Sequence, residues 1–135
     1  MAAEAIVSSK FEASRQLAGQ LLDLGAPLLA AYWEFREERD RWLLVLVPAS
    51  PSDERSLIEQ AIDLLRKSPF RSVFSISDPS ISSLQIKRAR ALGAYVRVEP
   101  FVGRQINNTF TGGEFFESVV PVYLAPELMT HLHVA

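Results

Sequence analysis

The stretch Leu28 to Val47, LLAAYWEFREERDRWLLVLV, constrains the fold more than any other part of the chain. Leu29, Ala31, Trp33 and Phe35 recur at every second position, and beyond a charged tip Trp42, Leu44 and Leu46 do the same. Period two marks a strand with one buried face. With Glu37 to Asp40 as the loop, Arg36 faces Arg41, Phe35 faces Trp42, Trp33 faces Leu44 and Ala31 faces Leu46. One register thus gathers the large aromatics on a single face. Cross-strand pairs of this kind are worth about 0.2–1 kcal/mol each, and a slip by one residue would turn Trp33 and Phe35 to the other side. On the opposite face Tyr32, Val45 and Val47 are also apolar, whereas Glu34 and Arg36 are polar. The end of the hairpin away from the tip is therefore expected to be covered on both faces. Glu34, Glu37, Glu38 and Asp40 crowd the tip, but Arg36, Arg39 and Arg41 interleave with them, so a solvated turn is expected there rather than a carboxylate site.

A chain of 135 residues fits one domain, and at 48% apolar and 22% charged it can build a core and is not disordered by composition. The net charge of −2 argues against a generic polyanion binder. Without cysteine there are no disulfides, thiolate zinc sites or cysteine nucleophiles. The first 27 residues lack the basic start and apolar run of a signal peptide, and no apolar run approaches a membrane span. A soluble, cytoplasmic protein without a membrane partner is expected.

Ahead of the hairpin, Ser9 and Glu12 have capping-box spacing, and Phe11, Leu17, Leu21, Leu22 and Leu24 form an apolar stripe that Gly25 and Pro27 end. This helix is expected to lie on the aromatic face of the hairpin. A second helix follows Ser50 or Ser52 as cap, with Leu57, Ile58, Ala61, Ile62 and Leu65 as its buried face and Ser68-Pro69 as its stop. Phe70 to Ser77 reads as a short strand. Asp78-Pro79 reads as the start of a third helix that ends at Gly93. Tyr95 to Phe101, Gln105 to Phe110 and Phe115 to Leu124 read as strands, the last two joined by a tight Gly112-Gly113 turn. Pro121 cannot donate to a ladder, so its strand should be an edge or carry a bulge. Residues 1–8 are expected to be a loose lead-in, and residues 126–135 a short helical tail or a loose end. The class is α+β: a single domain with a largely antiparallel sheet and helices on one face.

No constellation in the chain has the spacing of a known catalytic motif, and neither cofactor nor metal is implied. His131 and His133 are the only histidines, and no further ligands accompany them. The most distinctive charge feature is Lys87, Arg88, Arg90, Arg97 and Arg104, with Glu99 the one acid between residues 87 and 104. If helix and strand lie side by side these bases could form an anion or nucleic-acid patch, with Tyr95 or Phe101 as a stacking face; a solvated, internally paired face is the plainer expectation. Asn107 and Asn108, beside Thr109, could hold a small ligand, but such residues more often bond neighbouring loops. Glu114 and Glu117 flank the glycine turn, and a two-carboxylate acid/base pair can be drawn there without the spacing requiring it.

Residues 21 to 49 (LLDLGAPLLAAYWEFREERDRWLLVLVPA) and 103 to 123 (GRQINNTFTGGEFFESVVPVY) together resemble a group of short uncharacterised bacterial proteins. Trp33, Trp42, Gly103, Ile106, Asn107 and Phe110 carry the resemblance, which implies a bacterial origin and a shared fold and supplies no catalytic residues. Residues 78 to 102 lie outside it. The function expected is that of a binding module for another macromolecule, a protein, with a homodimer through an edge strand near Phe115 to Leu124 as one form. A nucleic-acid module and a small carboxylate enzyme are the alternatives.

Overall fold

The computed structural model describes residues 8–38, 40–75, 77–96 and 104–130. Helix α1 (Ser8–Asp23) leads into the hairpin β1 (Leu28–Arg36) and β2 (Arg41–Pro48). After a short 3-10 turn come α2 (Glu54–Leu65), α3 (Phe70–Val73) and the short strand β3 (Pro79–Ile81). Then follow α4 (Ile86–Tyr95), β4 (Ile106–Thr111), β5 (Glu114–Leu124) and α5 (Pro126–Thr130). The five strands form one sheet in the order β3-β2-β1-β5-β4. All neighbours are antiparallel except β2 and β3. The class is α+β, as the alternating pattern requires.

The hairpin adopts the register its aromatics dictate: Trp33 opposite Leu44, Phe35 opposite Trp42, Arg36 opposite Arg41. Phe35 and Trp42 meet edge to face at 5.6 Å between centroids, the arrangement their quadrupoles favour. Helix α1 covers this face. Ala13, Leu17, Ala18 and Leu21 pack on Trp33, Leu44 and Leu46, and the buried Trp33 indole donates to Ser14 Oγ at 3.0 Å. At its end Gly25, at φ 75°, donates to Leu22 O, and Ala26 donates to Leu21 O. These are the two bonds of a Schellman stop. Leu22 and Leu24, expected in the buried stripe, are exposed.

Helices cover both faces of the sheet, not one. Tyr32, Val45 and Val47 pack under Ala89, Leu92 and Leu128 of α4 and α5. The cause is the second apolar face of β1 and β2, too large to leave in water.

Local signals misplace the middle of the chain. Phe70 to Val73 is a helix, and Phe70 and Phe74 stack at 6.2 Å, one helical turn apart. Phe74 also reaches Trp33. Asp78 does not start a helix. Its buried carboxylate accepts from Lys10 Nζ at 2.8 Å, Arg41 Nη2 at 3.1 Å and the Ser75 amide at 2.9 Å. Pro79 to Ile81 then pairs in parallel with Leu44 to Leu46. The long-range ion pairs and strand pairing win over the local Asp-Pro preference, and α4 starts only at Ile86. Tyr95 closes α4 instead of opening a strand, and Val96 caps it; residues 97–101 of the expected strand lie outside the described residues, as do His131 and His133.

The glycine turn forms as expected. Gly112 and Gly113 sit at φ 57° and 82° between the paired Thr111 and Glu114, the two positive values of a type I′ hairpin. A Cβ on Gly112 would come within 2.8 Å of the Ala91 side chain, so the turn also rests on α4. Strand β5 carries the bulge that Pro121 predicts, with pairing to β1 jumping from Ala31–Tyr123 to Tyr32–Pro121. It is not an edge strand, however: β5 lies between β1 and β4.

Candidate functional site

The bases singled out in the sequence do not share one situation. Lys87 Nζ lies 3.6 Å from Glu114 Oε2. Arg88 is mostly buried; it donates to Glu114 Oε1 at 3.3 Å, to the Phe115 carbonyl at 3.0 Å and to Glu34 Oε2. Its guanidinium stands 4.2 Å above the Phe116 ring, a cation–π contact. Arg90 and Arg104 are exposed, and Arg97 lies outside the described residues. Arg88 is thus turned inward, and Glu114 neutralises Lys87 beside it.

The two carboxylates flanking the turn serve different partners. Glu114 holds Lys87 and Arg88, whereas Glu117 Oε2 accepts from the Glu37 amide at 3.1 Å, tying the β4–β5 hairpin to the β1–β2 tip. Asn107 Oδ1 accepts from Ser118 Oγ at 2.8 Å and Gln105 Nε2 at 2.9 Å. Asn108 takes φ 47°, a left-handed value asparagine tolerates. Asn107 thus ties β4 to β5 through Ser118.

The ionic centre of the sheet is Glu34, which the sequence placed at the tip. Its side chain is only 3% exposed, and Arg88, at 17%, reaches it from α4; Arg36 Nη2 adds a contact at 3.4 Å. Alternation puts Tyr32 on the same face, fully buried, its hydroxyl beside Arg88 but without a hydrogen bond of good geometry among the described residues. Burial first, then the Glu34 carboxylate, pushes the Tyr32 phenol far above its ordinary 10.0, and Arg88 opposes them without prevailing. The unfolded chain ionises this phenol near the ordinary value and the folded chain does not. Its contribution to stability is therefore full below 10.0 and falls as pH rises beyond it. In an absorbance titration Tyr32 is expected to ionise only with alkaline unfolding, and Tyr32→Phe is expected to flatten that loss. Simultaneous, reversible titration of all the tyrosines near the ordinary value would contradict this.

Among the described residues two surfaces are open, one at each edge of the sheet. Beside β3, a groove of about 860 Å³ runs between α2, the end of α3 and the strand, lined by Ile58, Ile62, Leu65, Arg66, Arg71, Phe74, Ser75, Pro79 and Ile81. Helix α2 carries two adjacent apolar stripes. Leu57, Ala61 and Leu64 are buried in the core, while Ile58, Ile62 and Leu65, at the same i, i+4, i+7 spacing, line the groove. Ile62, expected in the core, is 40% exposed. The signal for this groove was present in the sequence as an apolar arc wider than one buried stripe needs, followed at once by Arg66.

At the other end β4 pairs only with β5 among the described strands. Phe110 and Phe115 face each other across this outer hairpin and are 71% and 47% exposed. Natural edges are usually blunted by charge, proline or shortness. Strand β3 is short and begins with Pro79; β4, Ile-Asn-Asn-Thr-Phe-Thr, has neither charge nor proline. Among the described residues no group of three or more His, Asp or Glu is placed to hold a metal ion, and no helix is long and apolar enough to cross a membrane. Comparisons with protein-family models, with curated proteins and with solved structures find no match to this chain.

Proposed function

We propose that this protein is a binding module whose partner is another protein and whose contact is strand addition at β4. The observation that carries this reading is the outer edge of β4, unpaired among the described residues, beside an exposed Phe110–Phe115 pair. An added strand satisfies the outer backbone groups of β4, and its side chains cover the two rings. A second copy of the chain is the simplest partner, because an antiparallel strand pairs with itself about a two-fold axis and so closes the assembly. The chemistry of the rest of the molecule agrees with a binding role: its strongest ionic groups, Arg88 with Glu34 and Asp78 with Lys10 and Arg41, are used to hold elements together.

Sedimentation velocity is expected to find a concentration-dependent dimer, and Phe110→Lys is expected to abolish it. That side chain is mostly exposed, so the change should move folding stability by no more than about 0.5 kcal/mol. A strict monomer up to the solubility limit would overturn the second copy as partner.

A further inference from the structure

The groove at the opposite sheet edge has a different chemistry, independent of β4. Its floor is aliphatic and aromatic, from Ile58, Ile62, Leu65 and Phe74, and two arginines, Arg66 and Arg71, line it. The neighbouring acids of α2 are already engaged: Glu59 with Arg55 at 3.6 Å and Asp63 with Lys67 at 3.3 Å. Among the described residues neither Arg66 nor Arg71 has a carboxylate partner. Two uncompensated guanidinium groups beside an apolar trough are complementary to a molecule with an apolar body and an anionic head. The volume of about 860 Å³ falls inside the range of small-molecule sites, roughly 300–1,000 Å³. Arginine presents the forked donors that match a carboxylate in two-point contact.

We propose that this groove binds a free long-chain carboxylate, the acyl chain lying along Ile58, Ile62 and Phe74 and the carboxylate meeting Arg66 and Arg71. No bond is made or broken; the site takes up and releases the acid. Each methylene that enters the groove should raise affinity by about fourfold, so affinity should climb along a series of acids until the trough is full and then level off.

The test is calorimetric titration of the full chain with dodecanoate and dodecyltrimethylammonium, each below its micelle-forming concentration, and with 1-dodecanol below its solubility limit. Dodecanoate is expected to bind saturably at one site, at least about tenfold tighter than the alcohol, a difference of about 1.4 kcal/mol, and the cation is expected to bind weakest. Arg66→Gln with Arg71→Gln should erase the preference for the acid and leave the alcohol unchanged. Ile62→Asp, at an exposed position, should weaken both. Phe110→Lys should change none of these values, which separates this site from the β4 edge. Equal binding of acid and alcohol, a preference that survives loss of both arginines, or no saturable binding would each overturn the proposal. So would capture in the groove of an acidic amphipathic peptide but not of dodecanoate; that result would make the groove a second protein-docking site.

Discussion

Replacing Arg88 by methionine is expected to destabilise the protein by about 3–5 kcal/mol, because it leaves the Glu34 carboxylate buried without its main counter-charge. That is a large share of the roughly 5–15 kcal/mol by which a domain is normally stable. Arg36, at 3.4 Å from Glu34, offers only a longer contact. The loss extends beyond one pair, since Arg88 also bonds Glu114 and the Phe115 carbonyl and covers the Phe116 ring. It links α4 to four positions of the sheet. The informative comparison is the pair Arg88→Met with Glu34→Leu. Removing both charges removes the uncompensated carboxylate, so the double variant is expected to be more stable than Arg88→Met alone. Urea unfolding of the two single variants and the double variant closes the cycle; strict additivity would contradict the coupling. A polyanion-binding test of the basic stretch must accordingly leave Arg88 in place and alter Lys87, Arg90 and Arg104.

The second large effect falls on Asp78. Asp78→Ala removes one carboxylate that holds Lys10 of α1, Arg41 of β2 and the Ser75 amide at once. Lys10 and Arg41 are partly exposed and regain water when freed, which limits the cost to about 2–3 kcal/mol. Lys10→Met and Arg41→Met should each cost less than Asp78→Ala, because each leaves Asp78 two of its three partners. Thermal or urea unfolding checks the order. An Asp78→Ala variant as stable as the parent would show that the three-way contact does not hold β3 in place.

These two carboxylates mark how far local sequence can be read. The β1–β2 register was legible because period two and paired aromatics leave one solution, and the Gly25 stop and Gly112-Gly113 turn followed from positive φ. Asp78 was read as a helix cap because Asp-Pro is a local signal, whereas its partners lie 68 and 37 residues away. Glu34 looked like part of a solvated tip because the interleaved arginines suggested surface pairing, and nothing nearby announced Arg88. Phe70 and Phe74 are four apart, a helical spacing that the strand-like composition around them hid. The inner position of β5 depends on β1 having two neighbours, which no single segment encodes. The groove was half visible: α2 has more apolar positions than one stripe, but only the placement of α3 and β3 turns the surplus into a lined trough.

The proposed strand addition requires the outer edge of β4 to be closed by another chain. Hydrogen exchange of the amides of residues 106–111, followed over a dilution series in the parent and in Phe110→Lys, tests this most directly. The account predicts protection that rises with concentration in the parent and stays low in Phe110→Lys, with the amides of residues 79–81 unchanged. Protection of residues 106–111 that is equal in both proteins at every dilution would contradict it.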